Sequence, residues 1–412
     1  MVVVISAGGK GTRVASVNSA LPKPMLPICG KPVLQHQVEC LRRQGIKRII
    51  LTIGHLGEQI RNYFRDGSRF GVQIEYIEET EPLGTAGALY YLKDKLDGDF
   101  LYLNGDLIFD VDIGRMVRFH KTHGAEITLL GHPNDHPYDS GLIIANADGQ
   151  VLGWLTKEEE RCWYHNCVNA GIHVLSSVVL DRLDTLRRMD LDRELIRPAI
   201  PGGKVFVYRS PEYVKDMGTP ERIQEVKNDL NSGKIRKKNL AERQKAIFLD
   251  RDGTINRYVG LLKAPEELEL LAGAAEAIRR INQSGYLVIL ITNQPVIARG
   301  EVTWEQLDEI HRKLETLLGQ QGAYLDDIFV CPHHPDKGFP GERPEYKIDC
   351  DCRKPKPGLI LQAAQKYNIE LSESWLLGDS MRDVDAGKAA GCKTLQVSEE
   401  FGLLEAIQVI GL

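Results

Sequence analysis

Two hydrophobic periods alternate along the whole chain. Val2–Ser6, Ile49–Ile53, Gln73–Tyr76, Phe100–Asn104 and Ile127–Gly131 are short runs with the length and branched side chains of strands. Between them, Pro32–Gln44 and Gly84–Leu96 carry helical spacing. Strands recur at Gly141–Ala145 and Gly171–Leu175, so the first unit runs past residue 200. The pattern then breaks. Glu225–Asn239 is dense in charge and poor in large apolar residues, which predicts a solvated connecting helix. Ala246–Leu249 opens a second alternating pattern, continued by strands at Leu287–Ile291, Ile328–Val330 and Trp375–Leu377. Alternation of this kind predicts an α/β fold with two three-layer α/β/α domains, 1–230 and 245–412, joined by a charged linker at 231–244. No internal repeat links the halves.

Composition agrees with two cores. A chain of 412 residues exceeds what one hydrophobic core commonly serves. The net charge of −5 speaks against a nucleic-acid partner, and no segment reaches the roughly 20 apolar residues of a membrane span. Met1–Ser6 leads straight into a glycine-rich turn rather than a secretory pattern, so a cytoplasmic location is expected. Cys29, Cys40, Cys162, Cys167 and Cys392 lack metal-type spacing and read as plain thiols of a reducing compartment.

The densest chemistry lies at Phe248-Leu-Asp250-Arg-Asp252-Gly253-Thr254. A buried strand delivers Asp250 to its carboxyl end, where open α/β sheets bind ligands. Asp252, two residues on, faces the same crevice if the backbone stays extended. One carboxylate can attack phosphorus while the other shuttles a proton. Three further strand-end signals follow in order. Thr292-Asn293 offers a hydroxyl and an amide for phosphoryl oxygens, and Arg353-Lys354-Pro355 offers cations. Leu377-Gly378-Asp379, with Asp383 in support, offers carboxylates suited to Mg²⁺. Over residues 246–395 this order resembles the haloacid dehalogenase-like phosphatases. The resemblance implies Asp250 as nucleophile, Asp252 as general acid/base, Thr292 and Lys354 as phosphate anchors, and Asp250, Asp252 and Asp379 around Mg²⁺. One helical segment, Ala272–Gln283, fits between Asp252 and Thr292, which implies a capless member.

Cys331-Pro-His333-His334 and Cys350-Asp-Cys352 frame Pro335–Asp349, a stretch too rich in Pro, Gly and charge to order itself by burial. Three thiolates and one imidazole would give Zn²⁺ a closed tetrahedral site whose filling folds the loop. This loop, followed by Cys-Arg-Lys-Pro, resembles D-glycero-D-manno-heptose 1,7-bisphosphate phosphatases and the related histidinol-phosphate phosphatases. That resemblance carries the imidazole at Cys-x-His, hence His333. Thr292-Asn-Gln-Pro-Val-Ile-Ala-Arg299-Gly300 sides with the heptose group, although Pro295-Val296 stands where that group carries Ser-Gly. Asn293, Arg299 and Arg353 are candidate contacts to substrate, with a structural ion pair the alternative for Arg299.

The first strand runs into Ala7-Gly8-Gly9-Lys10-Gly11-Thr12-Arg13, a turn whose backbone can close on phosphate oxygens beside a fixed cation. Lys23 follows on a Pro-flanked turn, and Glu81-Pro-Leu-Gly84-Thr85-Ala-Gly87 offers a small-residue surface for a base. Asn104-Gly105-Asp106, Val168-Asn169-Ala-Gly171 and Lys215-Asp216-Met217-Gly218 complete the set. Together these resemble sugar-1-phosphate nucleotidyltransferases over about residues 1–230. The resemblance implies in-line attack by a sugar phosphate on the α-phosphorus of an NTP. Arg13 and Lys23 would balance charge, and Asp106 and Asp216 would hold Mg²⁺. Gly8, Gly9, Gly11, Thr12, Gly84 and Thr85 would lie on the nucleotide, with Asn104, Asn169 and Gly171 nearer the sugar. Lys157 stands in the place of the family's Glu-Lys-Pro lysine, but Thr156 and Glu158 replace its neighbours. The Glu-Pro-Leu-Gly-Thr-Ala-Gly segment resembles guanylyl-transferring members, which implies GTP.

Both resemblances fit one route: loss of the 7-phosphate from a heptose 1,7-bisphosphate, then nucleotidyl transfer to the heptose 1-phosphate. The expected partners are small molecules (heptose phosphates and an NTP), with no nucleic acid, no membrane, and a homodimer among the assemblies open to the chain. Histidinol phosphate, mannose 1-phosphate, and a regulatory N-terminal half that only binds nucleotide sugar remain alternatives.

Overall fold

A computed structural model describes residues 1–9 and 21–412, in two compact units. The first holds Met1–Gly131, Ile143–Trp154 and Asn169–Asn239; the second holds His132–Leu142, Leu155–Val168 and Leu240–Leu412. Two excursions of the N-terminal half thus group with the C-terminal residues. No helix among the described residues is long and apolar enough to cross a membrane.

In the first unit a nine-stranded mixed sheet carries Val2–Ser6 at its middle. That strand pairs in parallel with Arg48–Ile53 on one side and Asp99–Asn104 on the other. Arg48–Ile53 continues to Gln73–Glu78, while Asp99–Asn104 meets the antiparallel Val168–Ser176. The strand order therefore reverses at Ser6, which opens a crevice beyond the strand's carboxyl end, where such sheets take ligands. Val3 and Ile5 enter one core with Leu34, Val38 and Leu41 of the Val33–Arg43 helix, while Val4 is buried on the opposite face.

The five-stranded second sheet is parallel throughout, in the order Asp327–Cys331, Tyr286–Asn293, Lys245–Leu249, Trp375–Gly378, Lys393–Gln396. Alternate residues feed two cores. Ile247, Leu249, Val288 and Leu290 pack with the helices Ala274–Gln283, Trp304–Gly319 and Leu403–Val409. Ala246, Phe248, Leu287 and Ile289 pack with Gly358–Tyr367 and Met381–Ala390. Burial on both faces is why these strands read as unbroken apolar runs. Here the order reverses at Leu249, so Asp250, Thr292 and Asp379 leave neighbouring strand ends.

Two expected elements differ. Gly84–Leu96 is not a long helix; only a 3₁₀ stretch, Gly87–Leu92, forms. Gly84 has φ +75°, and a Cβ there would lie 2.4 Å from the Met189 carbonyl oxygen. Backbone contact with 187–191 fixes the segment, and Gly, Thr and two tyrosines do little to favour a helix against it. The connecting region is also less solvated than expected. It forms helices Pro220–Asn231 and Lys234–Lys237, and Ile235 enters a core with Leu26, Ile28 and Met217. Asn239 donates to Asp110 at 2.7 Å.

Gly84→Ala should therefore destabilise the first unit by about 1–3 kcal/mol, through the left-handed backbone and the clash together. Chemical denaturation followed by tryptophan fluorescence would measure it; an unchanged midpoint would remove this account of the segment.

Two candidate active sites

In the second unit, oxygens of Asp250, Asp379 and Asp383 lie within 4.8 Å of one another. Lys354 holds them: its Nζ is 2.5 Å from Asp250 Oδ1 and 2.6 Å from Asp383 Oδ1, and donates to the Ile291 carbonyl at 2.9 Å. The Lys354 side chain is 4% exposed, so this ammonium is almost entirely removed from water and depends on its carboxylate partners. Burial pushes the Asp250 carboxyl up, and the Lys354 charge pulls it back toward ionisation. Lys354 is raised by Asp250 and Asp383 against burial, which acts the other way. Asn293 clamps the lysine's backbone, donating to the Lys354 carbonyl and accepting from its N–H, both at 3.1 Å. Thr292 is buried beside this group and accepts from Gln294 Nε2 at 2.8 Å. Gly253, at φ +85°, passes so close to Asp379 that a Cβ would sit 2.3 Å from its Oδ2.

Asp252 faces elsewhere. Its carboxylate takes Arg251 Nη2 at 2.9 Å, Asn256 Nδ2 at 3.0 Å and Gln294 Nε2 at 3.0 Å. Burial raises this carboxyl, but Arg251 and the other donors outweigh it and hold it below the ordinary range. The three-carboxylate group thus contains Asp383, expected in support, and not the side chain of Asp252, which its own donors turn aside. Asp383 is set by the first turn of its helix, where it accepts from Ser380 N and Oγ at 3.1 and 2.5 Å. Oxygen donors alone, beside the Lys354 ammonium, fit a hard ion such as Mg²⁺.

Cys331, His333, Cys350 and Cys352 form a second potential metal group, their ligand atoms within 4.8 Å. Cys352 Sγ lies 3.2 Å from both Cys331 Sγ and Cys350 Sγ, and His333 Nδ1 is 3.3 Å from Cys352 Sγ. A tetrahedron with Zn–S arms of 2.3 Å has edges of about 3.8 Å, so the donors have nearly the required spacing and chemistry. His334 turns away and accepts from Asp336 N at 3.3 Å. Arg353 Nη1 donates to the His333 carbonyl at 3.1 Å, tying the loop to the segment that carries Lys354. Arg299 stacks over Phe339 of the same loop, 4.3 Å from the ring centre. Val296, of the unusual Pro-Val pair, is buried against Ile297, Val302 and Leu307.

In the first unit, Gly8 and Gly9 follow the central strand; Gly11, Thr12 and Arg13 lie outside the described residues. Lys23, opening a 3₁₀ turn after Pro22, pairs with Asp106. Asp216 lies across the antiparallel ladder from Leu107, next to Asp106, and pairs with Arg222 at 2.6 Å. The backbones around Asp106 and Asp216 are thus adjacent, Met217 N donating to the Asp106 carbonyl at 2.9 Å, and each carboxylate is balanced by its own cation. Thr85 Oγ1 accepts from Leu191 N at 2.7 Å, and Gly84 and Thr85 line a cavity with Arg188, Asp190 and Arg193. The Asn104 amide lies against Gly171, whose N–H donates to Asn169 Oδ1 at 3.2 Å. Lys157 is exposed, in a segment that groups with the second unit, whereas Asn169 and Gly171 group with the first.

Two acids here escaped the sequence reading. Glu79 lies directly against Gly8, accepts from Leu83 N at 3.1 Å, and has its carboxyl raised by burial. Asp192 takes Asn169 Nδ2 at 3.2 Å, and burial, with Asp190 nearby, pushes it up to about 6. Neither could be told by pattern from the surface acids around it; only the fold makes them buried.

Residues 2–233 match the nucleotidyl transferase family model and 203–391 match haloacid dehalogenase-like hydrolase. The chain belongs to the nucleotidyl transferase family, with a haloacid dehalogenase-like hydrolase domain following. It is 33% identical to mannose-1-phosphate guanylyltransferase of Mycobacterium tuberculosis, over 56% of this chain and 64% of that protein. It is 32% identical to the mannose-1-phosphate guanylyltransferase catalytic subunit beta of Xenopus tropicalis, over 54% of this chain and 62% of that one. The chain thus spans less than two thirds of these relatives' length. Among solved structures, D,D-heptose 1.7-bisphosphate phosphatase from B. bronchiseptica, complexed with magnesium and phosphate, is 37% identical over 41% of this chain and 87% of its own, with TM-score 0.34.

A raised carboxyl makes the fold weaker as it ionises. Stability linked to Asp192 is full below the ordinary carboxylate range and lost as pH passes about 6. Asp192→Asn should then stabilise the first unit at pH 8, on the order of 2 kcal/mol, and give no gain at pH 4. Thermal melts at the two pH values test this; equal effects at both would refute the burial assignment.

Proposed function

We propose that the chain is a bifunctional enzyme of nucleotide-activated heptose biosynthesis, with domains 1–230 and 245–412 joined through 231–244. The C-terminal domain removes the 7-phosphate of D-glycero-D-manno-heptose 1,7-bisphosphate. The N-terminal domain transfers GMP from GTP to the heptose 1-phosphate and releases pyrophosphate. The observation carrying the phosphatase half is the meeting of Asp250, Asp379, Asp383 and Lys354 beside Thr292 at the reversal point of a parallel sheet.

In this reading Asp250 Oδ attacks phosphorus, the bond to the sugar oxygen breaks, and Asp252 gives that oxygen a proton. Water then attacks the aspartyl phosphate, passing its proton to Asp252 and freeing Asp250. The Arg251, Asn256 and Gln294 donors favour ionised Asp252, the form the water step needs, and an entering phosphate dianion would raise its proton affinity for the first step. Mg²⁺ held by Asp250 and Asp379, with Asp383 near, would offset charge on the phosphoryl oxygens. Lys354, Thr292 and Arg353 would orient the phosphate, Asn293 acting through its clamp on the Lys354 backbone, and Arg299 would flank the sugar end.

For the transferase, Asp106 and Asp216 would hold Mg²⁺, while Lys23 and Arg13 balance the triphosphate. Support for GTP comes from the named relatives and from Glu79, a carboxyl against Gly8 that in its ionised form would accept from the donors of guanine. The relatives' names favour mannose 1-phosphate as a second acceptor to test. Both steps use cytoplasmic metabolites and no macromolecular partner; a homodimer remains compatible.

Full-length protein given the bisphosphate, Mg²⁺ and GTP should yield phosphate, pyrophosphate and a nucleotide sugar. Asp250→Asn should lower phosphate release at least about 10³-fold while leaving transfer to heptose 1-phosphate intact. Asp106→Asn should do the converse, by about 10²-fold or more. Failure to form a nucleotide sugar from either acceptor with any NTP would reject the joint reading.

The Cys₃His group is proposed as structural zinc. Elemental analysis should find close to one zinc per chain, and its removal by chelator should destabilise the C-terminal unit by about 2 kcal/mol or more. Protein purified zinc-free, with a melt unaffected by added zinc, would refute it.

A further inference from the structure

Arg251 is a fully buried arginine between the two acids Asp250 and Asp252. Its Nη2 and Nε grip the Asp252 carboxylate, and its Nη1 lies 3.2 Å from His311 Nε2. Burial pushes the His311 imidazole down to about 3, so the ring is neutral at physiological pH. A guanidinium only donates, which makes His311 Nε2 the acceptor and leaves the proton on Nδ1. The Arg251 fork is thereby fixed at both ends, by a carboxylate and by an imidazole.

His311 sits on the Trp304–Gly319 helix between Asp308 and Glu315, three residues before it and four after, so all three lie on neighbouring turns. Asp308 and Glu315 both engage His165, Asp308 Oδ1 at 2.8 Å from Nε2 and Glu315 on Nδ1. Around that contact, Tyr164 N donates to Thr316 Oγ1 at 3.0 Å, and Lys313 lies over the Trp163 ring. Arg312 also pairs with Asp308, at 3.0 Å. All of these groups belong to the second unit.

We infer that Asp252 is held in its working orientation by a brace running from Arg251 through His311 and the Trp304–Gly319 helix to His165, making Arg251, His311 and His165 positioning residues for the phosphatase centre. The brace takes in residues 155–168, which precede the hydrolase family match in sequence. It gives that excursion a purpose within the phosphatase unit. This rests on the reading that Asp252 protonates the leaving oxygen.

Leaving groups separate the possibilities. For kcat/KM, which reports only steps through leaving-group departure, p-nitrophenyl phosphate needs little protonation and phenyl phosphate needs much. In full-length protein, Arg251→Lys and His311→Leu should lower kcat/KM for phenyl phosphate about tenfold more than for p-nitrophenyl phosphate. His165→Ala, at a partly exposed site that folding tolerates more readily, should show the same selectivity at about threefold. His311→Gln, which keeps an acceptor, should restore the wild-type ratio. Asp252→Asn is the control. Selective loss in that control without selective loss in Arg251→Lys overturns the brace alone. No selectivity in the control overturns the acid role of Asp252 and the brace with it. Selectivity in Arg251→Lys with a wild-type ratio in His165→Ala overturns the outer limb.

Discussion

Carboxylates crowded at the ends of parallel strands repel one another, and the fold must bring a cation to them from elsewhere in the chain. In the second unit that cation is Lys354, one ammonium shared by Asp250 and Asp383 and almost wholly out of water. Removing either acid alone would leave the lysine short of charge; removing the lysine would leave three acids facing each other. A buried pair of this kind contributes little net stability, since desolvation offsets the attraction. Its value is position. The same cluster that is costly without metal is complementary to a divalent ion and a phosphate. The first unit repeats the device on a smaller scale, with Lys23 on Asp106 and Arg222 on Asp216.

What the sequence made legible follows from this. Strand-end acids announce themselves because apolar runs precede them: Phe248-Leu249 before Asp250, Leu376-Leu377 before Gly378-Asp379, Leu101–Leu103 before Asn104 and Asp106. The strands themselves were visible for the same reason. Asp192 and Glu79 were not, because their importance comes from burial by residues far away in sequence, and nothing local marks them. The direction of Asp252 was equally hidden. Spacing of two puts a side chain on the same side of an extended strand, but the strand ends at Leu249 and the backbone turns from Arg251, whose carbonyl accepts from Ile255 N at 2.9 Å. Arg251 and Asn256 then draw the carboxylate away from the three-acid group.

The missing Gly84–Leu96 helix has a related cause. Helical period records which residues are apolar, not whether the backbone is free to coil. Here the Gly84–Gly87 backbone lies against the 187–191 backbone, with Ala86 N donating to the Met189 carbonyl at 3.0 Å. Close approach of two main chains selects small residues, and the remaining apolar positions fill the core without completing helical turns.

The cysteine loop joins these threads, because it ends where the cation begins. Cys350 and Cys352 stand four and two residues before Lys354, and Arg353 reaches back to the His333 carbonyl inside the same loop. Whatever draws the four sulfur and nitrogen donors together therefore also sets the path of Arg353 and Lys354. Asn293 fixes the other end of that path through its two bonds to the Lys354 backbone. Asn293 thus grips the peptide units on both sides of the Lys354 Cα, while the Ile291 carbonyl, Asp250 and Asp383 hold the far end of its four-carbon stem. A loop that cannot order itself by burial is thus placed where its order governs the charge balance of the whole crevice.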